Sequence, residues 1–275
     1  MHHDPPTVAI FGYGNLGSAI VEGAVRRRLL HPREVVVVEP DPGARGRAER
    51  LGCRIARDAS DWSAAPRVVV SVKPQAWGEV AAALAGHPGD RLLISVMAGL
   101  PIVRLRADAG RTTRVARAMP NVPARLGLAI TAIASDAGVS PEDAAYVRRL
   151  FEGIGEVVEI PERHFHAVTA LSGSGPAYIF RLAECLEETA RSLGLPPAVA
   201  RALVSRTIRG AGAMLVEDGA EPERLRDAVT SRGGTTAAAL EQFERWGLGP
   251  AVSDAVAAAA QRSRELAGES PLPTT

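Results

Sequence analysis

Lysine is nearly missing from this 275-residue sequence: of its 32 basic residues only Lys73 is a lysine, and the rest are arginines. Cysteine is as scarce. Cys53 and Cys185 stand far apart with no C-x-x-C spacing, which supports neither a disulfide framework nor a zinc site and fits a reducing cytoplasm. Net charge is small, +1, so neither half has the basic excess of a nucleic-acid or polyanion binder. No apolar stretch approaches the ~20 residues that span a bilayer, and Met1–Pro6 carries no apolar signal region. These absences predict a cytoplasmic protein with no membrane or nucleic-acid partner and no metal. The isolated lysine has two readings. Ammonium and guanidinium are not interchangeable where a compact point charge must fit, so Lys73 either serves a specific role or is a chance retention.

What is present suffices for ordinary cores: 46% of residues are apolar and 23% charged, and the length favours two domains over one. Thr7–Phe11, Val35–Glu39, Val68–Val72 and Leu92–Val96 are near-continuous aliphatic runs, suited to strands buried on both faces of a parallel sheet. Helix-length segments separate them, a βαβαβ order that predicts a doubly wound sheet. Arg114–Ala116, Ala129–Ala134 and Val157–Ile160 are candidates to extend it. After Pro161 a 3.6-residue period takes over. Phe165, Val168, Leu171, Ile179, Leu182, Leu186 and Leu193 mark one helical segment, interrupted by Gly173, Gly175 and Pro176. Ala200 to Leu215 mark a second, and shorter helices follow at about Pro222–Thr230, Thr235–Trp246 and Pro250–Leu266. The pattern predicts an α/β chain: a Rossmann-type doubly wound domain over 1–161, then an all-α domain over 162–275 ending in a frayed tail, Ser270–Thr275. The helices are apolar over wider arcs than so small a domain buries alone, which favours dimerisation through it.

Directly after the first strand, Gly12-Tyr13-Gly14-Asn15-Leu16-Gly17 opens a helix. A dinucleotide site needs one glycine for the tight turn, a second for backbone approach to pyrophosphate and a third for helix–strand packing. The pyrophosphate then meets free N–H groups at the positive helix end. Glu39, 22 residues beyond Gly17, is placed to accept hydrogen bonds from ribose hydroxyls and to repel a 2′-phosphate. That favours NADH, whereas nearby Arg45 and Arg47 would suit NADPH, and the preference stays open. Ser71-Val72-Lys73-Pro74 ends the third strand at the edge where such sheets bind ligands, directing Lys73 toward a cofactor or domain cleft. Val96-Met97-Ala98-Gly99 supplies small residues at the same edge, where a flat nicotinamide can approach backbone.

Two later segments resist a packing explanation. Ser172-Gly173-Ser174-Gly175-Pro176-Ala177-Tyr178 places helix breakers inside a helical pattern, costing several kcal/mol unless offset; the plain reading is a kink with close helix contact. Ser231-Arg232-Gly233-Gly234-Thr235-Thr236 precedes a helix, so its backbone N–H groups form an anion-binding concavity, or Thr235 or Thr236 simply caps the helix.

On these residues the sequence resembles the pyrroline-5-carboxylate reductase family. The resemblance runs from about Val8 to Leu266. It rests on Phe11-Gly12-x-Gly14-Asn15, Val72-Lys73-Pro74, Met119-Pro120-Asn121-x-Pro123, the string Val168 to Tyr178, Leu225 to Thr236 with its Gly-Gly-Thr-Thr loop, and Arg262-Ser263-x-Glu265-Leu266. It implies NADPH- or NADH-dependent reduction of the cyclic imine 1-pyrroline-5-carboxylate to L-proline, the last step of proline biosynthesis. Cofactor residues carried over are Gly12, Gly14, Asn15, Leu16, Gly17, Glu39, Val72, Lys73, Pro74, Ala98, Gly99 and Asn121. Substrate is expected against the loop beside the nicotinamide, its carboxylate on the Ser231 hydroxyl and the N–H groups of Gly234, Thr235 and Thr236, with Gly233 shaping the turn. The Thr236 hydroxyl is the candidate partner of the ring nitrogen and the one catalytic residue named. Family members are homodimers that often assemble into decamers.

Two residues depart from the family pattern. Arg232 replaces the usual proline of the loop, which loosens it and places a cation that either strengthens carboxylate binding or faces solvent, the second reading being favoured. His166 replaces the usual aspartate; its i, i+2 spacing from His164 argues against a metal pair, and a role at the start of the helix is expected instead. Trp62, Trp77 and Trp246 read as packing residues. A hydroxyacid dehydrogenase on this plan would need a lysine on the interdomain helix, and none follows Lys73. The remaining alternatives are a reductase of a different cyclic imine and a non-catalytic cofactor-binding paralogue.

Overall fold

The computed structural model describes residues 6–110 and 113–269; the readings placed on residues 1–5 and on the tail 270–275 lie outside them. Two compact units divide the chain, one comprising residues up to Ser174 with the segment from Ala259 onward, the other Gly175–Ala258.

The first unit is built on one sheet. Its strands are β1 (Val8–Phe11), β2 (Val35–Val38), β3 (Arg54–Ile55), β4 (Arg67–Val70), β5 (Arg91–Ser95), β6 (Thr113–Met119), β7 (Ala129–Ser135) and β8 (Gly155–Glu159), in the order β3-β2-β1-β4-β5-β6-β7-β8. Helices α1 (Asn15–Arg26), α2 (Pro42–Leu51), α3 (Trp77–Gly86), α4 (Ile102–Ala109) and α5 (Pro141–Glu152) connect them. The aliphatic runs form β1, β2, β4 and β5 as expected, because alternate residues enter different cores. Val8, Ile10, Val35, Val37, Leu92 and Ile94 join one cluster, while Ala9, Phe11, Val36, Val68, Val70 and Leu93 join another. The strands from β3 through β6 pair in parallel. β7 then runs antiparallel to β6, and β8 parallel to β7. The reversal has a plain cause: the link 120–128 between β6 and β7 is shorter than a parallel crossover requires.

Local chemistry fixes the helix ends. Asp41 Oδ2 accepts from the Ala44 N–H at 2.6 Å ahead of Pro42, and α2 closes on Gly52 in the left-handed conformation. Ser140 caps α5 in the same way, with Pro141 at its first position.

Beyond β8 the chain is helical throughout the described residues: α6 (Phe165–Val168), a π-helical turn (Thr169–Gly173), α7 (Gly175–Ser192), α8 (Pro197–Leu215), α9 (Pro222–Ala228), α10 (Thr235–Arg245) and α11 (Leu248–Ala267). The π turn accounts for part of the Ser/Gly/Pro string. The Ser174 N–H reaches back to the Thr169 carbonyl, and a methyl added at Gly173 would lie 2.8 Å from Met119 Cε. The close contact is therefore with the end of strand β6 and not with another helix.

His166 stands at the start of a helix, as the second residue of α6, but its side chain does not cap that helix. It is buried within α6, where Nδ1 lies 2.9 Å from Ser263 Oγ and Nε2 lies 3.1 Å from Glu269 Oε1, tying α6 to the last turns of α11 and the residues beyond. Trp62 and Trp77 are buried, as expected of packing residues, but Trp246 is 81% exposed. In the second unit only Ala200 and Val204 are buried, while Ile179, Phe180, Leu182, Leu186 and Leu203 stay exposed. This unit lacks a core of its own, and apolar surface of this extent marks an interaction face.

One contact decides between two opposed effects. In an isolated helix, Gly23→Ala would gain about 1 kcal/mol. Here a methyl at Gly23 would sit 2.5 Å from the Gly153 carbonyl oxygen, where α1 meets the end of α5. The crowding should win, giving a net loss of about 1–3 kcal/mol and a lower thermal midpoint; an unchanged or raised midpoint would show that the two helices separate freely.

Candidate active site

The first βα turn is built around volumes that no side chain can enter. Gly12 has φ +92, and a methyl there would lie 2.7 Å from the Ser71 carbonyl oxygen at the end of β4. A methyl on Gly17 would run into the Gly12 carbonyl oxygen and lie 3.3 Å from Ser71 Oγ, a buried hydroxyl with no partner. Gly14 is the opposite case. It is exposed, and nothing lies within 4 Å of its absent methyl. Gly14 also begins the 12-residue helix α1 with no side-chain cap. The first-turn N–H groups of Asn15, Leu16 and Gly17 therefore lack intrahelical partners at the positive helix end. An open glycine before an uncapped helix fits a pyrophosphate, and this arrangement is what a dinucleotide requires.

Glu39 stands beside this turn. Its Oε2 accepts from the Tyr13 N–H at 2.6 Å, and its Oε1 accepts from the Asp41 N–H at 2.9 Å. Arg47 donates to the Tyr13 carbonyl at 3.3 Å. Sequence reasoning missed Tyr13 and Ser71. Both act here through backbone atoms, and side-chain identity gives little signal of that. The Tyr13 ring is fully buried, and burial raises its phenol above the ordinary value. Burial, with Glu22 nearby, also pushes the Cys53 thiol up to about 11, so it is protonated at neutral pH and no nucleophile.

The other cofactor candidates occupy the same edge. Val72 follows β4, and Lys73 is exposed ahead of the short helical turn that starts at Pro74. Ala98 and Gly99 follow β5. Gly99 has φ +73, and a methyl there would meet Leu266 Cβ at 3.1 Å, so the end of α11 closes on this small residue. The Asn121 side-chain oxygen Oδ1 accepts from the Ile130 N–H at 3.1 Å, fixing the link between β6 and β7. No grouping of His, Cys, Asp or Glu among the described residues could hold a metal.

In the second unit, Ser231–Thr236 forms a tight turn into α10. Gly233 has φ +70, and Gly234 folds under Ser231 so closely that a methyl on it would strike Ser231 Oγ and lie 3.1 Å from its carbonyl oxygen. The Gly234 N–H donates to that carbonyl at 3.0 Å, so it is spent on the turn and is not a free donor. Gly234 is the N-cap of α10 and offers no side-chain cap. Neither threonine acts as the cap that the plain reading allowed. The N–H groups of Thr235, Thr236 and Ala237 are left open at the positive end of an 11-residue helix. Ala237 is a donor that no side-chain pattern in the sequence singles out. Thr236 is half-buried, and Arg232 is exposed.

Comparison with known proteins adds independent information. Residues 162–266 match the family described as pyrroline-5-carboxylate reductase dimerisation, and residues 7–99 match the NADP oxidoreductase, coenzyme F420-dependent family. The chain is 38% identical over 265 residues to pyrroline-5-carboxylate reductase of Pisum sativum, covering 96% of this chain and 97% of that one. It is 36% identical over 261 residues to the Synechocystis sp. enzyme of the same name, covering 94% and 97%. Among solved structures it is similar to a pyrroline-5-carboxylate reductase from Coxiella burnetii, with TM-score 0.87, 29% identity and coverage of 96% and 99%. A Plasmodium falciparum pyrroline carboxylate reductase with NADP bound gives TM-score 0.85, 26% identity and coverage of 97% and 100%.

Gly14 separates folding from binding. Gly14→Ala meets no neighbouring atom, so the thermal midpoint should not change. The methyl should nevertheless block backbone approach and weaken dinucleotide binding about tenfold or more. Titration of both proteins with cofactor checks this, and unaltered affinity would place the pyrophosphate elsewhere.

Proposed function

The chain belongs to the pyrroline-5-carboxylate reductase family, and on that premise we propose which of its residues hold the substrate and which hold the cofactor. It is an NAD(P)H-dependent oxidoreductase acting on a C=N bond, reducing 1-pyrroline-5-carboxylate to L-proline in the final step of proline biosynthesis. The proposed division is a cofactor domain over 1–161 and a substrate and dimerisation domain over 162–275.

The observation that carries the substrate assignment is the uncapped start of α10. Open N–H groups at a helix N-terminus suit a carboxylate, and 1-pyrroline-5-carboxylate has one. The N–H groups of Thr235 and Thr236 and the Ser231 hydroxyl hold it. Gly233 and Gly234 give the turn its shape, because a side chain on either would strain or fill it. The Thr236 hydroxyl is assigned to the ring nitrogen. It orients the ring and accompanies the proton that the nitrogen gains as hydride reaches the imine carbon. A reduced nicotinamide cofactor, with its pyrophosphate held at the first βα turn, would supply that hydride. The reaction balances with one proton from solvent: imine, NAD(P)H and H⁺ give proline and NAD(P)⁺. A protonated cyclic imine is already electrophilic, so the protein's contribution is position and charge more than strong acid catalysis.

On the cofactor side, Gly12, Gly14, Asn15, Leu16 and Gly17 take the pyrophosphate and Glu39 the adenosine ribose. Val72, Lys73, Pro74, Ala98, Gly99 and Asn121 are assigned to the nicotinamide half. The protein is an oligomer. A homodimer is the proposed minimal unit, supported by the exposed apolar faces of α7 and α8; a decamer of such dimers is the larger assembly that sedimentation would distinguish. No described helix is long and apolar enough to cross a membrane, and a cytoplasmic location, supported by two free cysteines, is proposed.

Initial rates with 1-pyrroline-5-carboxylate test the site. Thr236→Ala should lower kcat/KM about tenfold or more, or ~1.4 kcal/mol of transition-state stabilisation, with the oligomer intact. Wild-type turnover with an unaffected variant would keep the activity and move the site away from this loop.

A further inference from the structure

We propose that this chain selects NADH over NADPH, and that Glu39, fixed by two backbone N–H groups, makes the selection. The inference rests on the first βα turn being the dinucleotide site and deepens that reading.

Three observations carry it. First, the Glu39 carboxylate is anchored. One oxygen accepts from Tyr13 N–H within the glycine-rich turn and the other from Asp41 N–H, so it cannot swing aside without breaking both bonds. Each oxygen keeps a further lone pair, which matches the two hydroxyls of an adenosine ribose. A 2′-phosphate placed there would set its negative charge against a fixed carboxylate.

Second, the loop after β2 has few donors to offer a phosphate. Pro40 and Pro42 carry no N–H. The Asp41 N–H is committed to Glu39 and the Ala44 N–H to Asp41 Oδ2. Over residues 40–44 only the Gly43 N–H is left uncommitted among the described residues, while Asp41 adds a second carboxylate.

Third, the arginine nearest the turn is bonded within it. Arg47 donates to the Tyr13 carbonyl, a bond that holds the turn in the shape Glu39 requires. Arg45 lines a groove with Pro42, Glu49 and Arg57. Glu39, the anchored charge beside the ribose position, therefore stands directly against a 2′-phosphate, and like charges at such range oppose binding.

The test is calorimetric titration of the whole protein with NAD⁺ and with NADP⁺, without any imine, for wild type, Glu39→Gln and Glu39→Asp. Wild type should bind NAD⁺ about tenfold or more tighter than NADP⁺. Glu39→Gln should bring the two affinities to within about threefold by strengthening NADP⁺ and weakening NAD⁺. Glu39→Asp keeps the charge and should still reject NADP⁺. A purely structural Glu39 would instead lower both affinities together. Wild-type preference for NADP⁺, equal affinities, or a ratio unmoved by Glu39→Gln would overturn the proposal; if the Gln variant fails to fold, the wild-type ratio and the Asp variant still decide it. Because no imine is present, failure to reduce 1-pyrroline-5-carboxylate would count against the assigned reaction alone.

Discussion

Gly17 lies so close to the carbonyl of Gly12, and Gly12 to the carbonyl of Ser71, that the first turn, the first helix and the fourth strand occupy a volume with no room for one added carbon. The cofactor edge of this protein depends on that contact. It sets α1 tight against the sheet, so the open start of the helix faces outward with Gly14 unobstructed. It carries Tyr13 to where its N–H meets Glu39 and its carbonyl meets Arg47. A larger residue at either glycine would displace a helix, a strand end and an acid together. A dinucleotide held at this turn, as proposed, would depend on the same close packing that closes the fold.

Much of this edge was legible because it is written in residue types with few substitutes. Glycines at fixed intervals after an aliphatic run, and an acid after the next run, have a direct physical meaning. The same holds for β1, β2, β4 and β5, whose continuous apolar residues alternate between two cores. What was not legible depends on backbone geometry or on distant partners. β3 is a two-residue edge strand with no apolar run to mark it. The reversal at β7 comes from a short link rather than from strand composition. His166 finds Ser263 and Glu269 about a hundred residues away, and no local pattern foretells that. Gly234 spends its N–H on its own turn, which leaves the neighbouring threonines and Ala237 as the open donors.

The helical unit obeys a different constraint. Its sequence has wide apolar arcs, yet only two of its residues are buried. Trp246 reads as a packing residue and stands exposed for the same reason that Phe180 does: this unit has no interior of its own to receive them. The matched dimerisation family indicates oligomerisation, and exposed apolar faces of this kind are what an interface buries. The Ser231–Thr236 loop, proposed to hold the substrate, belongs to the same unit. Its shape comes from within, through the left-handed Gly233 and the close fit of Gly234 under Ser231.

Hydride transfer to the imine carbon is the claim to which both units answer. The most direct measurement supplies 1-pyrroline-5-carboxylate together with a reduced nicotinamide cofactor deuterated at both C4 positions, then records the mass and the label position of the product. Proline carrying a single deuterium, on the ring carbon formerly double-bonded to nitrogen, is the predicted result. Unlabelled proline, label at any other carbon, or no proline at all would contradict it.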